Sequence, residues 1–310
     1  MTSRSPNTFV VGAGPVATAL AGGLRLAGVP VLGLWSRRPA AARAAAGSAG
    51  VAAFSPAPPD ILLEAEVLVL AVRDDAVAEV ATRLVATGLV GERHVLLHCS
   101  GAHAAGEVFA GVAGKIGGTG TLHPLRAIAD PRAAMRSWKG TVFGVEGDLR
   151  GRAAATQLAQ VLGGTALALE GTAMVRYHAA AAMASNYVVA LLDAAVGLLR
   201  AAGVDEAAAL SALVLLAQSA ITNVGEKGLA NGLTGPIRRG DAGTVGRHLA
   251  ALATDPALHE LYRVLGRRAL GLAEVAGAAA PEDLAAIRAL LADSRDPTRG
   301  GVSADSAGPA

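Results

Sequence analysis

At 310 residues the chain is long enough for two domains, each with a buried core. Its 52% hydrophobic content is rich in alanine and only 3% of residues are aromatic, which argues for closely packed helices rather than an aromatic-filled β-sandwich. A dispersed net charge of +2 excludes a nucleic-acid footprint, and the single Cys99 excludes an intramolecular disulfide or a multi-cysteine metal site. Met1-Thr-Ser-Arg-Ser-Pro6 runs into the first strand without an apolar leader, so a cytoplasmic protein is expected.

Thr8-Phe9-Val10-Val11 reads as a short buried strand that runs straight into Gly12-Ala13-Gly14-Pro15-Val16-Ala17. The glycines allow a tight turn, and Thr18 to Arg25 continues as a helix whose N-terminus points at that turn, an arrangement that holds a pyrophosphate. Ala17 stands where a small residue lets helix and strand approach. A ribose-binding residue is then due at the end of the second strand, roughly 20 residues past the glycines. That strand, Val29 to Trp35, ends in Ser36-Arg37-Arg38 with no carboxylate. A carboxylate would repel a 2′-phosphate, whereas a hydroxyl and two guanidiniums suit it, so the expected cofactor is NADP(H) rather than NAD(H). The competing reading leaves Arg37 and Arg38 on a solvated loop.

Alternation continues with a helix over 39–46, a strand near Val51, the buried strand Glu66 to Val72 and a helix from Asp75 to Ala86. Strands follow at His94–His98, Thr119–His123 and Thr141–Val145, then a helix over 149–162 and a last strand at Thr165–Leu169. Apolar runs separated by helices indicate a parallel sheet covered on both faces, an α/β doubly wound fold. From Thr172 onward strands disappear and helices are predicted over 173–201, 205–229, 242–253, 256–275 and 281–292, an all-α C-terminal domain. Ala207 to Val224 carries no charge, but its polar interruptions predict a helix buried in protein rather than a membrane span. The expected division is a nucleotide-binding domain over 1–170, a helical substrate and dimerisation domain over 171–293, and a disordered tail over 294–310.

In a doubly wound sheet, ligands sit outside the carboxyl ends of the strands. Val72 and Asp74 are therefore expected on the cofactor, although Asp74 and Asp75 fit equally well as helix caps. Ser100 offers a hydroxyl and Gly101 an open amide for a substrate carboxylate or carbonyl. His123, before Pro124 at a strand end, is the candidate proton partner for hydride transfer; the bland alternative is a structural histidine. His178, Ser185 and Asn186 fall at i, i+7 and i+8 of one predicted helix and would share a face toward a ligand or toward neighbouring helices. Thr234 and Arg239, in a stiff turn, suit a ligand or a second subunit, while Asp241 fits a helix cap. No metal site is expected.

The segments Val11-Gly-Ala-Gly-Pro-Val-Ala17, Leu97-His-Cys-Ser-Gly-Ala102, Leu122-His-Pro-Leu125, Tyr177 to Asn186, and Leu233-Thr-Gly-Pro236 with Arg239-Gly-Asp241 together resemble one family. It is that of the Rossmann-like proteins with an appended helical domain of unknown function, relatives of pyrroline-5-carboxylate reductase, prephenate dehydrogenase and 6-phosphogluconate dehydrogenase. The likeness covers about Phe9 to Ala292. It implies an NADP-binding N-terminal domain, a 6-phosphogluconate dehydrogenase-like helical C-terminal domain and a homodimer built through those helices. Prephenate dehydrogenases carry a catalytic His before Pro in a similar segment, which favours His123, and the His and Ser of their first C-terminal helix resemble His178 and Ser185. Two departures limit the transfer: Asn186 stands where that family tends to carry another His, and the Lys-x-x-x-Asn pair of hydroxyacid dehydrogenases is missing. The expectation is an NADP(H)-dependent oxidoreductase acting on a small C=O or C=N compound bearing a carboxylate, with Ser100, His123, His178 and Asn186 around it. Neither nucleic acid nor membrane is expected as a partner. A non-catalytic NADP(H) sensor is the rival, and an NAD-dependent enzyme a third reading.

Overall fold

A computed structural model describes residues 4–292, and the tail expected over 294–310 lies outside them. Two compact units divide between Tyr187 and Val188. The first holds an eight-stranded sheet of β1 (Thr8–Val11), β2 (Val31–Trp35), β3 (Ala53–Phe54), β4 (Val67–Leu70), β5 (Val95–His98), β6 (Gly118–Pro124), β7 (Val142–Gly147) and β8 (Thr165–Ala168). Their spatial order is β3-β2-β1-β4-β5-β6-β7-β8, so the order reverses at β1 and β4, which makes that point the crevice of a doubly wound fold. Every residue of β1, β4 and β5 is buried, because helices cover both faces. Period-two alternation divides β4 between two cores. Val67 and Val69 join Leu20, Leu24, Phe143 and Leu158, while Leu68 and Leu70 join Phe9, Leu84, Leu96 and Phe109.

The covering helices of this unit are α1 (Pro15–Leu26), α2 (Pro39–Ala49), α3 (Val77–Ala86), α4 (Ala105–Val108), α5 (Pro131–Met135), α6 (Leu149–Val161) and α7 (Met174–Ala184). The sheet departs from the all-parallel expectation at one place, where β7 runs antiparallel to β6 with His123 opposite Gly144. A parallel crossover needs a dozen or more residues, usually a full helix, to carry the chain back along the sheet. The connection here contains only the five-residue α5. It folds back at the same end of the sheet and docks on α1, where Gly22 and Gly23 leave room for Met135 and Trp138.

The single helix expected over 173–201 is two helices. Ser185 takes φ −123° and ψ −76°, ending α7, and α8 (Asn186–Ala201) begins at the next residue. Ser and Asn are weak helix formers because their short polar side chains compete for backbone groups. Helix α7 clusters with the sheet, so the compact division falls after it rather than near 170.

The second unit contains α9 (Glu206–Gly232), α10 (Ala242–Leu252), α11 (Pro256–Ala276) and α12 (Pro281–Leu291). Asp205, Asp241 and Asp255 cap α9, α10 and α11 by accepting backbone N–H groups of the first turn. Val245, Leu249, Leu270, Ala273, Leu284 and Ile287 form the core of this unit. Gly228, at φ 77°, kinks α9 before the expected turn at Asn231. The burial expected for 207–224 is not found among the described residues: Leu215, Leu216 and Ile221 are 65%, 66% and 63% exposed. By length and composition alone, 171–201, despite its break at Ser185, and Glu206–Gly232 each contain an 18-residue apolar stretch long enough to cross a membrane, of which 6% is buried.

Candidate functional site

The carboxyl ends of β1, β2 and β4 open onto one groove of about 650 Å³, lined by Gly12 to Val16, Ser36 to Arg38, Val72 to Asp74 and Cys99. Gly12 sits at φ 128°, and a Cβ there would stand 2.2 Å from the Ala71 carbonyl oxygen, so only glycine lets β1 turn beside β4. A Cβ on Gly14 would meet nothing within 4 Å, which leaves the turn open toward the groove. Ala17 is fully buried against the turn. Helix α1 starts at Gly14 with Pro15 in its first turn, no capping side chain and no acidic residue there. Its first amides and the positive end of its dipole are therefore available to an anion. The three polar residues beyond β2 make two contacts: Ser36 Oγ accepts the Arg38 N–H at 3.4 Å, and Arg37 lies 3.7 Å from Glu79. Both partners of that ion pair are well exposed, so it is weak and gives way readily.

Asp74 and Asp75 do not cap the following helix. Asp75 pairs with Arg73, and Asp74 accepts the hydroxyl proton of Ser100 at 2.9 Å. Ser100 Oγ also accepts the Ala102 N–H at 3.3 Å and is buried, so its hydroxyl shapes the loop after β5 rather than standing free. The same loop is tied to the sheet by a second chain of bonds. The Ser100 N–H donates to His98 Nδ1, His98 Nε2 meets Thr121 Oγ1 at 3.1 Å, and Thr121 donates to Glu146, which also accepts the Ala105 N–H at 2.7 Å. Burial holds the His98 imidazole down at about 4, which keeps it neutral and suited to this bridge. Cys99 has its thiol pushed up to about 12 by burial and by Asp74, so thiolate chemistry is closed to it.

His123 leaves the sheet from β6 and meets two rings of α7. Its Nδ1 lies 2.8 Å from the Tyr177 hydroxyl, with the rings edge-on at 87°, and the His178 ring centre is 5.7 Å away. Gly101 is the floor of this cluster. A Cβ on it would stand 2.9 Å from His123 Nε2 and 2.7 Å from His178 Nδ1. Burial first, and then His178, holds His123 at about 4, with Asp74 acting the other way. The ring is neutral at physiological pH.

The fold thus gathers His123, His178 and Gly101, with Ser100 beside them, and brings the residues expected on the cofactor to one groove that Asp74 also lines. The break at Ser185 removes the single helical stripe expected for His178, Ser185 and Asn186, and Asn186 is exposed at the start of α8. Thr234 and Arg239 are exposed residues of the second unit, and Asp241 caps α10 there, its carboxyl held low first by Thr244. Sequence reasoning did not single out Tyr177, His98, Thr121 or Glu146. Gly144, a glycine inside an apolar strand, was the available signal for a close approach: a Cβ there would stand 2.6 Å from the Tyr177 oxygen. Among the described residues no cluster of metal-ligating side chains occurs.

Residues 8–95 match the family profile described as NADP oxidoreductase coenzyme F420-dependent, and residues 141–269 match the Domain of unknown function (DUF2520). No curated protein matches the chain. Among solved structures, a Thermotoga maritima protein shares 26% identity over 86% of this chain and 98% of its own, with a TM-score of 0.68. A Bacteroides fragilis protein described as an NADP oxidoreductase shares 23% over the same fractions, with a TM-score of 0.66. Pyrroline carboxylate reductase from Plasmodium falciparum, solved with NADP bound, shares 12% over 91% of this chain and 98% of its own, with a TM-score of 0.57. The N-terminal part of the chain is thus similar to NADP oxidoreductases, and the fold these structures share with it is a Rossmann-like sheet followed by a helical C-terminal region.

Proposed function

We propose that this oxidoreductase binds NADP(H) in the β1–β2–β4 groove and moves hydride between nicotinamide C4 and a small C=O or C=N compound bearing a carboxylate. One observation carries the cofactor reading: the glycine turn, the uncapped start of α1 and Ser36-Arg37-Arg38 line the same groove. Gly12 and Gly14 would admit the diphosphate to the helix N-terminus, and Arg37 and Arg38 would take the 2′-phosphate as charge-assisted forks. On the substrate side, hydride goes to carbon while the heteroatom gains a hydrogen bond from neutral His123, beside Gly101 and His178, and then a proton from water. Ser100 positions that loop through Asp74. Turnover of NADPH across a panel of imino and keto acids tests the reaction, and no turnover with any member would favour a nucleotide sensor.

The arginines give a sharper test. Arg37→Ala and Arg38→Ala should each weaken NADPH binding by about 10-fold, from about 1.5 kcal/mol per charged hydrogen bond, and leave NADH binding unchanged. Fluorescence titration of both nucleotides reads this directly, and equal losses for the two would remove the 2′-phosphate assignment.

The exposed apolar residues of α8 and α9 fit a homodimer built through these helices, as apolar patches of this extent mark interaction surfaces. Light scattering should give twice the chain mass, and Leu215→Glu with Leu216→Glu should give the single-chain mass. Recovery of the chain with lipid vesicles instead would assign the two helices to a membrane.

A further inference from the structure

Tyr177 stands at the back of His123, away from the nucleotide groove's own residues, and nothing in the hydride step requires a phenol there. Its hydroxyl oxygen lies over Gly144, and burial raises its pKa above the usual tyrosine value. The phenol therefore keeps its proton. The hydrogen-bond partner the structure gives that hydroxyl is His123 Nδ1 at 2.8 Å, so its proton points there. An imidazole nitrogen that accepts a hydrogen bond carries no proton of its own, so in the neutral ring the proton is on Nε2, the edge that converges with His178 Nδ1 on Gly101.

We propose that Tyr177 is a positioning residue that fixes His123 as the neutral Nε2–H tautomer, so that the ring offers a hydrogen-bond donor to the reacting heteroatom. This rests on the assignment of His123 to the hydride step. A donor at Nε2 stabilises negative charge on oxygen or nitrogen in the transition state of hydride transfer in either direction, and in reduction the heteroatom then takes its proton from water. The charged and titratable groups that bear on the ring are His178 and Tyr177 from α7, Asp74 from the turn after β4, and His98 from β5. Among the described residues, Tyr177 is the one hydrogen-bonded to it.

Nitrogen-15 NMR of the histidine rings in the full-length protein, with His123→Ala to assign the signals, reads the tautomer without any substrate. At pH 7 the wild type should show protonated Nε2 and unprotonated Nδ1 at His123. In Tyr177→Phe the Nδ1–H tautomer should become populated and the titration midpoint of the ring should rise, since the bond that favoured the neutral form is gone. A wild-type signal with the proton on Nδ1 overturns the proposal, and so does a Tyr177→Phe spectrum with unchanged tautomer and midpoint. Should Tyr177→Phe fail to fold, the wild-type tautomer alone decides. Failure of the turnover panel with the expected tautomer present would count against the hydride reaction and not against the Tyr177 contact.

Discussion

Replacing His123 by alanine lowers kcat by about 10²–10³-fold for whichever compound the panel identifies, the usual cost of removing one donor aimed at developing charge. NADPH affinity stays unchanged, because His123 lines the cluster over Gly101 and not the nucleotide groove. The sign of the pH dependence follows from the neutral ring. Burial holds His123 at about 4, so the ring stays neutral from about pH 5 to 8 and its Nε2 donor is unchanged across that range, which keeps the rate flat there. A rate that tracked an ordinary imidazole titrating near neutrality would show that His123 is solvated in the working enzyme and would remove it from this role. Steady-state kinetics on wild type and variant, beside a nucleotide titration, separates the two effects.

Gly12→Ala removes nucleotide binding and destabilises the first unit together. The added methyl would stand 2.2 Å from the Ala71 carbonyl oxygen in a backbone conformation at φ 128° that L side chains rarely adopt. Both faults act on the turn between β1 and α1, and the chain relieves them only by moving that turn away from β4. The expected loss is about 2–4 kcal/mol of stability, read by urea unfolding, with NADPH binding lowered by more than about 100-fold. Gly14→Ala is the contrast. Its Cβ would meet no protein atom within 4 Å, so stability should stay within about 1 kcal/mol, and only the approach of the diphosphate should suffer. If both variants kept full nucleotide affinity, the groove would not be the binding site.

Most of the first unit is legible in the chain because its strands are short apolar runs bounded by glycine, proline and charge. The Thr8–Val11 strand forms as read, and the glycine turn and the arginines beyond Trp35 line one groove. The antiparallel β7 was not, since a run such as Val-Phe-Gly-Val reads the same in either direction, and only the short helix between β6 and β7 decides. The break at Ser185 was hidden by an alanine-rich stretch with good helical propensity on both sides. Its consequence is that His178 groups with His123 while Asn186 does not. Tyr177 shows the deeper limit. Its value depends on lying over Gly144 and against His123, two residues that meet only through the pairing of β6 with β7, and no spacing along the chain encodes that meeting.

Because α7 clusters with the sheet, the seam for building chimeras lies after Tyr187. A graft that swapped everything beyond the last strand for the tail half of a cousin would discard Tyr177 and His178 and leave His123 facing foreign neighbours. Cutting after Tyr187 would carry the imidazole and its phenol across as one piece, and only such hybrids should inherit the donor.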